Sequence, residues 1–358
     1  MSAFDDGATL ADRMRQHAGA NTHLYARLMR GMADDWDADG PVREICRGWE
    51  TAPSGSVIQL RLLAGVFRLV LTDRAPELLP YYPCLGGDAP ADQAWPAFRR
   101  VLLDHVSELQ DALTIAPQTN EVGRSGALLA GLFEAVRRSG RHRVRLLEPG
   151  ASAGLYLLVD QFRFDQPGWC VGPAESPVAL THVFENPPSP QDFEIVERRG
   201  CDLAPVDAAS AEGELRLRSF VWPFHVERHE RLVHACALAR RHPVQVDEAP
   251  AGEWLEDQLA VTVPDDTVTV VWQSITRMYW PEEESARVDA AVAEAAQRQC
   301  VAHVSMEFTS GELVLPDLTL VGIGPHGGPS TDVTTLASVG DHGIPVAMGR
   351  QGLPRATT

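Results

Sequence analysis

Apolar residues recur at helical spacing through the first 120 residues of the chain. Apolar positions three and four residues apart are typical of helices that bury one face. Proline- and glycine-rich turns separate these stretches, and no strand pattern interrupts them. The pattern predicts an all-helical N-terminal domain over residues 1–120. Its expected helices are Ala8–His17, His23–Ala33, Val57–Thr72 and Trp95–Leu113.

The pattern changes near residue 140, where short β-rich runs begin to alternate with helical segments. Such alternation is typical of a mostly parallel, doubly wound sheet. The predicted strands are Arg143–Glu148, Glu194–Cys201, Leu215–Val221, Val244–Val246, Val268–Trp272, Cys300–Phe308 and Leu318–Gly322. The predicted helices are Ala153–Phe162, Val226–Arg241 and Glu283–Arg298. We therefore expect an α/β fold over residues 121–350, preceded by the helical domain.

Two segments fall outside this alternation. Residues 163–192 are rich in proline and glycine, and we expect them to form an insertion in the α/β domain. The last eight residues, 351–358, are expected to form a flexible tail. The apolar run Val57–Leu71 contains Gln59, Arg61 and Arg68, which suit a buried helix better than a membrane span.

The net charge of −18 repels polyphosphate and anionic lipid. We therefore expect neither nucleic acid nor a membrane among the partners. The basic run from Arg137 to Arg145 is a local exception, and we interpret it as the solvated end of a helix and start of a strand. We expect a small-molecule substrate and leave open a protein partner or a homo-oligomer.

The cysteines lie far apart and form no C-x-x-C pair, so the sequence predicts neither a zinc ribbon nor a redox pair. His225 and His229 have the spacing of metal ligands on one helix face. The H-E-x-x-H pattern is absent, however, and we predict no metal site. The N-terminus is acidic and lacks an apolar signal segment, which predicts a cytoplasmic protein.

The chemistry is expected at a glycine turn that follows the first predicted strand. The turn reads Glu148-Pro149-Gly150-Ala151-Ser152-Ala153-Gly154. In open α/β sheets, ligands bind beyond the carboxyl ends of the strands, and glycine permits close approach to the backbone. A dinucleotide or P-loop interpretation fits poorly, because the turn lacks a third glycine and the lysine of a P-loop.

Two other interpretations remain open. Gly150-Ala151-Ser152-Ala153-Gly154 matches the G-x-S-x-G nucleophile elbow, with Ser152 as nucleophile and later acids and histidines, ending at Asp341-His342, in the required order. Alternatively, Glu148, Gly150 and Gly154 match the acid-x-Gly-x-x-x-Gly loop that holds S-adenosylmethionine. Two later segments resemble methyltransferase landmarks. Asp247-Glu248-Ala249 resembles the adenine-binding strand end, and Gln273-Ser274 resembles the loop with substrate-side residues.

Several motifs together resemble a bacterial family catalogued as a domain of unknown function and often described as methyltransferase-like. The resemblance covers nearly the whole chain. It is carried by Tyr81-Tyr82-Pro83, Asn120 to Gly126, Gly150 to Leu158, Arg199 to Asp207, Trp222-Pro223 and His342-Gly343. The resemblance implies a Rossmann-like methyltransferase domain of the class that uses S-adenosylmethionine.

The chain departs from that family pattern at two positions. Tyr156 stands where the family loop has asparagine, and Phe224 stands where the family has aspartate after Trp-Pro. If that aspartate binds ribose hydroxyls, Asp202 or Asp207 would have to replace it, since both follow a strand. The alternative is that this chain binds no S-adenosylmethionine.

The leading prediction is methyl transfer from S-adenosylmethionine to a small molecule. Glu148, Gly150, Ser152, Gly154, Asp247 and Glu248 would bind the cofactor. Glu121, Arg124, Trp222 and Trp272 would bind the substrate, and Ser274, Tyr279 and Asp202 would act in catalysis. The alternative keeps the fold without the methyl donor, for a cofactor-independent displacement or cyclisation in small-molecule biosynthesis, with or without a partner subunit. A serine hydrolase using Ser152 is third, and a non-catalytic binding protein is fourth.

Overall fold

The computed structural model describes residues 8–308, 316–324, 326–340 and 342–349. The chain forms two compact units. Met1–Thr119 and Ala211–Glu230 make the helical unit, and Asn120–Ser210 and Arg231–Thr358 make the α/β unit. The first boundary lies one residue from the predicted one, whereas Ala211–Glu230 were expected in the α/β domain. The predicted tail at 351–358 lies outside the described residues.

The α-helices of the described residues are numbered along the chain. They are α1 (Leu10–Ala18), α2 (Leu24–Asp37), α3 (Pro41–Ile45), α4 (Ile58–Leu71), α5 (Trp95–Asp104), α6 (Val106–Ala112), α7 (Ser125–Ser139), α8 (Ala211–Ser219), α9 (Val226–Arg241), α10 (Ala251–Ala260) and α11 (Glu282–Ala295). The first six and α8 belong to the helical unit. Helix α9 begins in the helical unit and continues into the α/β unit.

The helical unit has its own apolar core. Met29 and Met32 of α2, Leu63 and Phe67 of α4, and Phe98 of α5 are fully buried in it. Ser54–Leu71 is the described segment that is long and apolar enough to cross a membrane, yet 61% of it is buried inside the protein. The expectation of a buried core helix here is confirmed.

The strands lie in the α/β unit. They are β1 (Arg143–Pro149), β2 (Arg163–Gln166), β3 (Trp169–Val171), β4 (Ala179–Thr181), β5 (Phe184–Glu185), β6 (Glu194–Asp202), β7 (Gln245–Glu248), β8 (Thr267–Ser274), β9 (Val301–Glu307), β10 (Asp317–Ile323), β11 (Pro329–Val339) and β12 (Val346–Met348). The predicted insertion contains the small sheet β3-β2-β4 and the short strand β5, which pairs with β12.

The main sheet is mixed, with nine strands in the order β5-β12-β11-β10-β9-β8-β1-β6-β7. Strands β9, β8, β1, β6 and β7 run parallel, and β10 to β12 continue the sheet with antiparallel pairings. The chain builds outward from β1 in one direction through β6 and β7, then in the other through β8 and β9. The order therefore reverses at β1, which is the central strand of the parallel region.

Helices pack on both faces of the parallel region. Val301 of β9 lies in one apolar cluster with Leu255 of α10 and Val292 of α11. Val304, three residues later, points to the opposite face, where it meets Gly131 of α7. Because both faces are covered, β1 and β8 are buried almost throughout, including the polar residues among their apolar ones.

Three predicted elements differ from the structure. Leu215–Val221 was expected to be a strand, but it lies largely in helix α8, where Gly213 and Leu217 are buried at helical spacing and Glu214 pairs with Arg218. The helix expected at Ala153–Phe162 is a 3₁₀ segment, Leu155–Gln161. The helix expected at Trp95–Leu113 is broken between α5 and α6, at His105.

Gly131 tests the packing of α7 on the sheet. A Cβ at Gly131 would lie 2.3 Å from Val304 Cγ1, whereas a Cβ at Gly126 on the same helix would meet Val183 Cγ2 at an ordinary 3.4 Å. We expect Gly131→Ala to lower the free energy of unfolding by about 1–3 kcal/mol, because the added methyl group would overpack the contact between α7 and β9. Gly126→Ala should be neutral or stabilising, since alanine favours helix. Urea unfolding of both variants measures this, and equal stabilities would contradict it.

Candidate functional site

The candidate site lies at the carboxyl ends of the central parallel strands. Strands β6 and β8 flank β1 on its two sides, so the loops that follow all three strands meet at one edge of the sheet. In open α/β sheets, the point where the strand order reverses is where ligands bind. The glycine turn that follows β1 occupies that point.

The backbone of the turn is fastened to the end of β6. The amides of Gly150 and Ala151 both donate to the Cys201 carbonyl, at 2.8 and 2.9 Å. The Ser152 amide donates to Asp202 Oδ2 at 2.8 Å, and the Ala204 amide donates to Asp202 Oδ1 at 2.9 Å. These amides are used within the protein and do not form a phosphate cradle. Asp202 therefore holds the turn in place.

The two glycines of the turn are required by packing inside the protein. Gly150 has φ +76°, and a Cβ there would lie 2.3 Å from Thr276 Oγ1 in the loop after β8. Gly154 has φ +69°, and a Cβ there would lie 2.8 Å from Val246 Cγ2 of β7. From the sequence, we expected a ligand to approach the backbone at these glycines. In the structure, the side chains of Thr276 and Val246 occupy the space next to these two glycines.

Glu148 is a buried acid at the end of β1. Burial raises the pKa of its carboxyl well above the usual range, and the nearby charge of Asp202 adds to the effect. Its Oε2 atom, like Ser152 Oγ, has no hydrogen-bond partner in the parts of the chain that the structure describes. A perturbed acid beside a strand-end turn is a common sign of a functional site.

Tyr156 brings several predicted residues together. Its hydroxyl donates to the Glu121 carbonyl at 3.0 Å, and the Ser274 side chain is a further hydrogen-bond partner. Burial raises the pKa of Tyr156 to about 12, against the lowering effect of the Arg124 charge. Glu148 also acts on this pKa, so Glu121, Arg124, Glu148 and Ser274 surround one phenol. The departure from asparagine at this position thus has a structural role.

Two of the predicted substrate-side residues are largely used for structure. Trp272 is fully buried and meets the Tyr156 ring edge-to-face at 6.1 Å between centroids. The carboxylate of Glu121 accepts the Gly123 amide at 3.2 Å and lies 3.7 Å from Arg231. Both residues support the cluster around Tyr156. Trp272 does so from within the core.

Glu307 is a functional candidate that the sequence analysis missed. Its Oε1 atom accepts from Gln273 Nε2 at 3.1 Å, from the Thr276 amide at 3.1 Å and from the Arg277 amide at 3.4 Å. Burial raises the pKa of Glu307, and these donors oppose the rise. It thereby fixes the loop in which Ile275 adopts a left-handed φ of +48°. The available signal was an acid at the end of an apolar strand, as at Glu148.

Other predicted residues lie apart from this cluster. Tyr279 is 74% exposed, and Glu248 is exposed at the end of β7. The Asp247 carboxylate accepts from Trp254 Nε1 at 2.7 Å, Gln245 Nε2 at 2.8 Å and Arg199 Nη2 at 2.7 Å. These contacts hold strand β7 in place. They do not support the predicted cofactor role of Asp247, which stays a prediction.

The predicted residue Trp222 belongs to the helical unit, together with Phe224. The two rings meet at 5.5 Å between centroids, and both contact His23 and Tyr25. His229 is buried there, with Nε2 3.1 Å from the Val221 carbonyl, and burial lowers its pKa to about 4. His225 Nδ1 lies 2.7 Å from Arg228 Nη1. The two histidines thus have separate partners.

Several arginines of the basic run, which spans the end of α7 and the start of β1, pair with acids. Arg137 and Arg138 both bind Glu134, and Arg145 of β1 binds Glu197 at 2.9 Å. Arg137 is exposed, as expected for a solvated helix end, whereas Arg145 is buried, so the interpretation as a solvated strand start is wrong for Arg145.

A cavity of about 270 Å³ lies beside the glycine turn. We call it the turn cavity. Its walls come from the turn, the segment after β6, helix α9 and the approach to β7: Ala153, Pro205, Val206, Asp207, Ala208, Ala209, Ala239, Pro243, Val244 and Val246. Most of the wall is apolar, and its acidic residue is Asp207, whose Oδ1 atom accepts the Ala209 amide at 3.0 Å.

The buried carboxyl of Glu148 predicts a dependence of stability on pH. Because its pKa is raised in the folded chain, its contribution is full below the unfolded pKa of about 4.3 and is lost as pH rises through the folded pKa. We therefore expect Glu148→Gln to gain stability relative to the natural chain as the pH rises above the unfolded pKa of about 4.3. Urea unfolding over a pH series from about pH 4 upward measures it. Glu175→Gln, at an exposed position, is the control, and a difference independent of pH would contradict the prediction.

The comparisons with known proteins give a family but no activity. No curated protein matches the chain. A family profile described as "Uncharacterized protein conserved in bacteria (DUF2332)" matches residues 8–348. That description names no methyltransferase, so the relationship to methyltransferases stays a prediction. Since the match covers nearly the whole chain, the chain belongs to the DUF2332 family.

Proposed function

We propose that the α/β unit is a Rossmann-like, methyltransferase-type domain that transfers a methyl group from S-adenosylmethionine to a small molecule. The strand order carries the proposal. Numbered along the chain, β1, β6, β7, β8 and β9 lie in the order 3-2-1-4-5, the order of doubly wound nucleotide-binding sheets. The acid-x-Gly-x-x-x-Gly turn follows the strand at which this order reverses.

The residues beside the turn suit the parts of this cofactor. The turn cavity has apolar walls for a flat purine, and Asp207 offers a carboxylate to ribose hydroxyls. Glu148 Oε2 and Ser152 Oγ are buried acceptors without a partner among the described residues, and a cationic ligand group would satisfy them. When bound, S-adenosylmethionine supplies an electrophilic methyl group on a sulfonium.

The chain's own residues would align the substrate with that methyl group. Tyr156, Ser274 and Arg124 form a polar group at the carboxyl edge of the sheet, next to the turn. Asp202 and Glu307 hold the two loops that frame it, through the Ser152 and Thr276 amides. Fixed alignment of two reactants lowers the entropic part of the barrier, which is the main contribution expected from such a site.

The second candidate keeps the fold and performs a cofactor-independent displacement or cyclisation in small-molecule biosynthesis. Two features favour it. Thr276 and Val246 fill the space beside the glycines of the turn, and Asp247 is already bound by Trp254, Gln245 and Arg199. A serine hydrolase gains no support, because no described histidine is hydrogen-bonded to Ser152 Oγ.

Calorimetry with S-adenosylmethionine tests the proposal. We expect saturable binding in the micromolar to millimolar range usual for enzyme substrates. Asp207→Ala should weaken it about tenfold, because a charged hydrogen-bond partner is lost. Asp165→Ala on β2, which removes an ion pair with Arg163, is the matched control and should leave the affinity unchanged. No heat with the natural chain would exclude methyl transfer and favour the second candidate. Equal affinities of the two variants would contradict the role of Asp207.

A further inference from the structure

A second and larger cavity lies away from the carboxyl edge of the sheet. It has a volume of about 640 Å³, and we call it the α11 cavity. Helix α11 forms one wall, and strands β9, β10 and β11 form the other. His303 in that wall is four residues before the carboxyl end of β9. A volume of this size is typical of sites for small organic ligands.

The tautomer of His303 follows from its neighbours. Gln273 Nε2 donates to Glu307 Oε1, which leaves Gln273 Oε1 as an acceptor. His303 Nε2 lies 2.9 Å from that oxygen, so Nε2 carries the proton and donates it. Burial lowers the pKa of His303 and the nearby charge of Arg277 lowers it further, against the opposing charge of Asp289, so the ring is neutral near pH 7. Its Nδ1 atom is therefore an unprotonated acceptor.

This acceptor is available to a ligand. His303 is 94% buried, since its exposure is only 6%, and it forms part of the cavity wall. Its only hydrogen bond in the described parts of the chain is the one from Nε2 to Gln273. Nδ1 is not one of the fully buried polar atoms that lack a partner, so it keeps contact with the space of the cavity, where a ligand that donates a hydrogen bond can take the place of water.

The charges of the wall define the kind of donor. Asp289 and Asp332 contribute carboxylates, and the described lining residues include no lysine or arginine. Arg277 pairs with Asp289, whereas Asp332 stands exposed on β11. The chain as a whole carries a net charge of −18, which attracts cations. Val292, Val321 and Val333 give the same cavity an apolar surface.

We propose that the α11 cavity is a binding site for a small organic amine. The amine would donate a hydrogen bond to His303 Nδ1, keep its positive charge near Asp332 and pack its apolar part against the valines. This site is separate from the glycine turn and does not depend on the methyltransferase proposal.

Nuclear magnetic resonance of the full chain with ¹⁵N-labelled histidine tests the site directly. The probe is benzylamine, with benzyl alcohol as its uncharged counterpart, and His303→Gln identifies the His303 signals. We expect benzylamine to shift the Nδ1 resonance of His303 saturably at millimolar concentration, and benzyl alcohol to bind at least about tenfold more weakly. No saturable shift with benzylamine would overturn the proposal. Equal binding of the alcohol would overturn the assignment to a cation.

Two substitutions on α11 distinguish binding in the cavity from binding to the surrounding surface. Ala293 and Ala290 are both exposed on this helix, but only Ala293 is among the described lining residues. Ala293→Phe should fill the cavity and weaken benzylamine binding at least about tenfold. Ala290→Phe should change the affinity for benzylamine by no more than about twofold. Comparable binding by both variants would overturn the placement of the site.

Discussion

The architecture of the α/β unit depends on how the ends of β1 and β6 are joined. A single carbonyl, that of Cys201, accepts two amides of the glycine turn, and the next side chain, Asp202, accepts a third. Parallel strands have no hairpin to fix their ends, so such bonds must come from the loops. Here they hold the turn against the neighbouring strand and leave Glu148 enclosed beneath it. The shape of the site follows from these hydrogen bonds between the glycine turn and the end of β6.

The other side of the site has a matching support. Glu307 ends β9 and binds the loop after β8, while Gln273 links Glu307 to His303. The two buried acids, Glu148 and Glu307, thus stand at the ends of β1 and β9, on either side of β8. Glu307 accepts backbone amides of the loop after β8, whereas Glu148 Oε2 has no partner among the described residues. A buried acid that accepts several donors, as Glu307 does, favours a single loop conformation, because an alternative would leave a polar group unsatisfied.

The parallel core could be predicted from the sequence, because strands covered on both faces appear as apolar runs. Strand β11 could not, since its first half, Pro329 to Thr335, is mostly polar and exposed. Helix α8 was mistaken for a strand because Leu215, Leu217 and the arginines between and after them alternate over a short stretch. For the site, the motif located the turn, Glu148 and Asp202. It gave no sign of the partners that Thr276 and Val246 provide, because those contacts join residues distant in sequence.

The ends of the nine-stranded sheet bear on how the protein meets other chains. One edge is β7, of four residues, in which Asp247 and Glu248 are charged; the other is β5, of only two residues. Short, charged edge strands offer few unpaired backbone groups to a neighbouring strand. A second molecule therefore gains little by pairing with either of these two strands. Any stable self-association of the α/β unit should use side-chain surfaces, and the edges protect a large sheet from stacking end to end into aggregates.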